Sequence, residues 1–372
     1  MLVFYILLLF ILFFGAQRSP RGGFWPDAFS YQSDLPLRGF FMLLIVFHHI
    51  SQQLTHPGSL KLLQDSGLLF VSFFFFLSGY GLMKSHLRNT DYFHVFFKRR
   101  YSKLLVPFFL CNLIYLGVDL LFGASYTPAF FIKCLLGLYL INTHAWFILT
   151  LALFYLFFFL IFRFVKKSSL QYALLFLFQI SYAAFCMQRG TGWALFEGPW
   201  WFNSSILFLI GVLFAGFEAD IVPVLKKNYG IFLSLSSLSF FLFFFISVYV
   251  TDEFPYRIQD TSLLSPLILN SWFNLCWQSL AVIFFCLTIL LFTLKIKCSN
   301  SCLVLLGKIS MELYLIHGLF IQLLKGQLCT VQNDYLFIFA VLLCSVAAAC
   351  LLHSPLHFLT AKTFDELKKL PF

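Results

Sequence analysis

Apolar runs of about 17–25 residues, the length a helix needs to cross a hydrocarbon core of roughly 30 Å, recur along this chain with only short polar stretches between them. They lie near residues 1–14, 37–54, 68–83, 104–122, 146–162, 170–187, 200–217, 230–250, 272–294, 303–324 and 335–352. Lipid offers no partners to backbone amides, so runs like these must fold as helices whose hydrogen bonds are internal. Composition points the same way: 61% of residues are apolar and 11% charged, whereas a soluble domain has roughly 45–50% and about 25%. The fold class expected is therefore an all-α polytopic membrane protein. A weaker stretch, 130–141, is too short to span unaided and reads as a re-entrant or interfacial piece.

The formal charge of +10 does not point to nucleic acid, because the basic residues fall in small groups between apolar runs, as topology signals do. Placing the 84–103 loop in the cytoplasm puts all but five of the 25 Lys and Arg on that side; Lys61, Lys133, Arg189, Arg257 and Lys325 are the exceptions. The positive-inside bias then makes 15–36, 84–103, 163–169, 218–229 and 295–302 cytoplasmic, with a cytoplasmic C-terminus and an outer N-terminus. Met1 to Phe14 lacks a basic leader, and Gly15-Ala16-Gln17 is a feeble cleavage signal, so an uncleaved helix is expected. The organisation read is 1–36 as N-terminal hydrophobic helix and cytoplasmic loop, 37–352 as the membrane domain and 353–372 as a short cytoplasmic tail.

The ten cysteines are scattered singly, without a CxxC pair to hold a metal, and read as small core residues. Phe73 to Phe76 and Phe241 to Phe245 read as packing or lipid-facing surface. Ser78-Gly79-Tyr80-Gly81 and Gly211 with Gly216 mark places where helices approach closely. No inverted repeat of the transporter kind is visible.

Ionisable side chains inside a bilayer cost on the order of 2.5–3.5 kcal/mol, so each needs a reason. The set is Arg38, His48, His49, Asp119, Lys308, Glu312 and His317, with Lys98, Arg99, Arg100 and Lys103 massed at one boundary. Arg38 and His49 project within roughly 20° of each other, about 16 Å apart along one helix. Arg38 is thus placed to hold an anionic group while His49 handles a proton deeper in the bundle; the alternative is a His49 merely hydrogen-bonded to a neighbouring helix. The cations at 98–103 enforce topology and attract lipid head groups, or bind a phosphate-rich cofactor through arginine forks. Lys308 and Glu312 lie one turn apart and are placed to neutralise each other. His317 is structural or lines a pathway. Asp119, and Asn142-Thr143-His144-Ala145-Trp146, are interfacial anchors or acceptor-site residues.

In this order the clusters resemble the membrane acyltransferase 3 family, integral-membrane enzymes that acylate sugars and cell-envelope glycans. Arg38-Gly39 with His49 is similar to that family's opening Arg/His helix. Ser72 through Tyr80 (SFFFFLSGY) is similar to its FFxLSGF stretch, Arg99-Arg100 with Lys103 and Pro107 to its basic segment, and Ala145-Trp146-Phe147 to its WF entry. Gly307 through Ser310, with Tyr314-Leu315-Ile316-His317, is similar to its late helix. Two departures stand out: the acidic residue usual just before the first Arg is displaced to Asp34, with Pro36 between, and Lys103 stands where Arg is common, losing the fork.

The resemblance implies a ten-helix core from residue 37 onward, with 1–14 as an addition. It implies an O-acyltransferase moving an acyl group, usually acetyl, from acyl-CoA to a hydroxyl of a cell-envelope saccharide in the bacterial cytoplasmic membrane. His49 would be catalytic, Arg38, Arg99, Arg100 and Lys103 would bind the coenzyme, and Ser78, Trp146, Glu312 and His317 would serve the substrate or its pathway. Acyl-CoA, a saccharide or glycolipid acceptor and membrane lipid are the expected partners, with no metal and no nucleic acid. The competing readings are a transporter or flippase without acyl chemistry and a non-catalytic assembly partner.

Overall fold

The computed structural model describes residues 2–188, 195–256, 266–326 and 328–368; the loop cations Arg189 and Arg257 lie outside them. The described chain is helical. Its helices are α1 (Leu2–Phe13), α2 (Tyr31–Ser51), α3 (Lys61–Gln64), α4 (Gly67–Arg88), α5 (Phe96–Leu121), α6 (Pro128–Leu135), α7 (Trp146–Phe164), α8 (Ser168–Gln188), α9 (Ile206–Gly216), α10 (Glu218–Lys227), α11 (Tyr229–Glu253), α12 (Pro266–Lys295), α13 (Ser301–Lys308), α14 (Ser310–Leu324) and α15 (Asp334–Lys368).

Among the described residues eight helices are long and apolar enough to cross a membrane, or nine if α13 and α14 count as one span. This is a multi-pass membrane protein. The expected count of ten is not reached on that criterion. α2 has the length, 21 residues, but carries Asp34, Arg38, His48 and His49. The run expected as one span at 303–324 is broken: α13 and α14 meet at 81° across Ile309, whose φ of −94° and ψ of 14° leave the helical region. The 130–141 segment, expected to be re-entrant or interfacial, begins inside the eight-residue α6, which stops just before Gly137 at φ 72°.

α1 has 12 residues, about 18 Å of helix, which is shorter than a bilayer core. It lies along the bundle, Phe4 against Phe47 with ring centroids 5.2 Å apart and Phe13 against Phe292 at 5.8 Å. Just after it, Gln17 and Arg18 pair antiparallel with Lys297 and Ile296, and Lys297 Nζ bonds Asp27 at 2.6 Å. The 15–36 and 295–302 segments, which the charge pattern assigns to one side, are thus bound at one end of the bundle. At the other end, Asp334 accepts the His56 amide at 2.9 Å.

Helices in lipid associate by packing, because moving an apolar side chain from lipid to protein gains no hydrophobic free energy; small residues then decide where backbones approach. A Cβ on Gly39 would run into the Leu303 carbonyl and one on Gly307 into the Leu35 carbonyl, so α2 and α13 touch backbone to backbone. Gly79 and Gly211 do the same for α4 and α9. The two Phe runs differ: Phe73, Phe75 and Phe76 are buried, with the Phe73 ring tilted against Phe41 at 4.6 Å, whereas Phe241 and Phe245 face outward.

Candidate functional site

α2, packed on α13 at Gly39, and α4, packed on α9 at Gly79, leave a cavity of about 710 Å³ between them at the basic end of the bundle. Six cations line it, Arg38, Lys84, Arg88, Arg100, Lys103 and Lys308, against one acid, Asp34. The α4 helix runs on to Arg88, which turns Lys84 and Arg88, one turn apart, from loop charges into cavity walls. The break at Ile309 likewise delivers Lys308 to the cavity while sending Glu312 elsewhere. The Lys308–Glu312 neutralisation is therefore replaced: Glu312, buried, meets His353 Nδ1 of α15 at 2.9 Å.

The cations differ in how they are held. Arg100 donates to Tyr92 Oη at 2.9 Å and to Ser85 Oγ at 2.7 Å, and Lys84 pairs with Glu218 at 2.9 Å. Arg38 stands over the Tyr31 ring at 5.2 Å, and its Nε is buried without a hydrogen-bond partner. Such an unsatisfied donor costs about 1–3 kcal/mol or more for a charged group unless a ligand meets it. Arg99 is exposed and does not line the cavity; Ser78 lines it beside Tyr155.

Arg38, Met42 and Ile45 line the cavity on one face of α2, and His49 follows on that face one turn beyond Ile45. There the structure brings together three imidazoles from separate segments: His49 of α2, His144 of the turn before α7 and His317 of α14. Ring centroids are 4.1 Å apart for His49 and His144, 5.2 Å for His49 and His317, and 5.0 Å for His144 and His317. His317 is fully buried and donates from Nδ1 to the Leu313 carbonyl at 3.0 Å. His49 Nδ1 faces Gln52 Oε1 at 3.3 Å. Both assignments leave Nε2 with a free lone pair.

Tyr314 stands between cavity and imidazoles. It lines the cavity, its hydroxyl donates to the His144 carbonyl, and it accepts the Phe147 amide at 3.3 Å. Asn142 Nδ2 anchors the same turn to the Leu315 carbonyl at 2.8 Å. These bonds are why a boundary segment folds inward onto α14. Trp146, also buried, supports it by packing 5.9 Å from Trp201 and does not line the cavity. His48 is structural, bonded to the Leu63 carbonyl at 2.7 Å. Asp119 accepts from Tyr126 Oη at 2.7 Å, away from the imidazoles.

The arrangement is a basic cavity able to hold an anionic donor, continued along one helix face to a group of proton acceptors. The family model described as an acyltransferase domain matches residues 37–354, from the helix that carries Arg38 and His49 to α15. No curated protein and no solved structure matches the chain significantly. A match of that extent, over a helical membrane bundle, identifies the chain as a membrane acyltransferase of the acyltransferase 3 family.

Proposed function

We propose that the protein is an O-acyltransferase that takes an acyl group, acetyl in the simplest case, from acyl-CoA to a hydroxyl of a cell-envelope saccharide. The observation that carries this reading is the single α2 face running from Arg38, whose Nε has no hydrogen-bond partner, in the basic cavity to His49. Six cations facing one carboxylate suit the phosphates of a coenzyme, and arginine forks favour bidentate phosphate contacts. The rise from Arg38 to His49, about 16 Å, is a length that an extended pantetheine arm covers. The positive-inside bias turns the basic end and the C-terminus to the cytoplasm of a bacterial inner membrane, where acyl-CoA is found, and leaves the saccharide to approach from the other side.

In this reading the acceptor oxygen attacks the thioester carbonyl while His49 Nε2 takes its proton. The tetrahedral intermediate collapses, the carbon–sulfur bond breaks, and the imidazolium returns the proton to the departing thiolate. Gln52 on Nδ1 holds the tautomer that leaves Nε2 basic, which is the geometry a general base needs. Binding of CoA to the purified full-length protein tests the donor half: the reading expects binding that Arg38→Ala weakens, and CoA binding that ignores Arg38 would contradict it.

A further inference from the structure

The three imidazoles do more than surround a base. One ring nitrogen from each of His49, His144 and His317 lies within 4.8 Å of the other two. A tetrahedral Zn²⁺ with bonds of about 2.0–2.1 Å holds its nitrogens about 3.3 Å apart, so modest side-chain rotations would close the set. Metal-bound histidines usually donate their other ring N–H to a carbonyl or similar acceptor, which fixes the ring and frees the ligating nitrogen. His317 does so to Leu313 and His49 to Gln52. The nitrogen thereby freed on His317, Nε2, is buried and has no hydrogen-bond partner.

We propose that His49, His144 and His317 form a binding site for one divalent transition-metal ion, best suited to Zn²⁺, whose occupancy blocks acyl transfer. The donor set is three neutral imidazoles, which suit Zn²⁺, Cu²⁺ and Ni²⁺ and not the oxygen-seeking Mg²⁺ or Ca²⁺. Glu312 is not part of this group, its Oε1 meeting His353 instead, so a fourth position stays open for water or an anion. The spacing of the ligands over three segments is why no metal motif is visible in the sequence. The blocking effect rests on the proposed role of His49 as base, since one lone pair cannot serve both a metal and a proton; the binding itself does not.

The test titrates metal-stripped, full-length protein in detergent with Co²⁺, reading the intense visible absorption of four-coordinate cobalt. The site predicts one Co²⁺ per chain, displaced by Zn²⁺, lost in His144→Ala and His317→Ala and kept in His56→Ala, whose imidazole is exposed elsewhere. Helix content and size-exclusion elution, with His144→Gln as a second variant, separate lost ligation from misfolding. No cobalt spectrum, or a spectrum unchanged in correctly folded His144 and His317 variants, overturns the site. Acyl transfer inhibited by Zn²⁺ and restored by a chelator supports the blocking role, and transfer abolished by the chelator overturns it. A wild type that binds Co²⁺ as described yet transfers nothing counts against the functional reading alone.

Discussion

The rings of His49 and His144 stand 4.1 Å apart, tilted by 52°, although one ends a helix and the other sits in a turn far along the chain. This pairing turns α2 from a helix with a polar terminus into one side of a three-imidazole group, the proposed place of proton transfer. Removing His49 while leaving the packing of α2 intact is therefore expected to strip out the proton acceptor, which typically contributes 10²–10⁴-fold to rate. His49→Ala should insert at wild-type levels, shown by quantitative blotting of membranes, and lose acyl transfer by about that factor.

Arg38 and Arg99 provide an internal contrast. Both are arginines of the motifs shared with the family, yet Arg38 lines the cavity with a buried, unpartnered Nε and Arg99 is exposed outside it. A hydrogen bond to a charged group is worth about 1.5–3 kcal/mol, so Arg38→Ala should raise the KM for acyl-CoA by roughly ten- to a hundredfold. Arg99→Ala should leave it within about twofold by the same scale. Steady-state kinetics in membranes decides between them.

Gly79 and Gly81, two residues apart on α4, should differ sharply. A methyl on Gly79 would strike the Phe208 carbonyl of α9, while one on Gly81 meets nothing within 4 Å. Overpacking costs typically about 1–3 kcal/mol, so Gly79→Ala should lower the melting temperature in detergent, and Gly211→Ala should do the same. Gly81→Ala should melt like the wild type.

The clamp between the first loop and the end of α12 should respond to acid. The hydrogen bond from Lys297 holds the Asp27 carboxyl below the usual carboxylate range, partly offset by desolvation. A lowered folded pKa contributes stability above the ordinary value of about 4, and that stability is lost as pH falls through the lowered one. The pair is partly exposed, so the effect is under about 1 kcal/mol. Protection factors of the Ser19 and Trp25 amides, which bond the Lys295 and Leu294 carbonyls, should fall on acidification once exchange is corrected for its intrinsic pH dependence, and in Asp27→Asn they should be low and flat across that range.

Much of the bundle could be read from hydropathy alone, because runs such as 146–162 and 230–250 reappear as α7 and α11 within a few residues. The Arg38–His49 alignment was legible for a similar reason: both lie on one helix, where spacing fixes direction. What the sequence hid depends on contacts between segments. Nothing local in Gly307-Lys308-Ile309-Ser310, which lacks proline, signals an 81° break; the backbone contact of Gly307 with Leu35 makes the bend part of the packing. His144 read as a boundary residue because only Tyr314 and Asn142 draw its turn inward. Lys84 and Arg88 read as topology charges because hydropathy fades before α4 ends.

In the proposed function acyl transfer takes place at His49, at the end of a basic cavity suited to the donor. Mass spectrometry of envelope glycans from cells carrying the wild type, His49→Ala or no copy, with membrane levels of each protein measured alongside, tests it most directly. An acyl-sized mass increment is expected with the wild type alone. The same increment in cells expressing His49→Ala would contradict it.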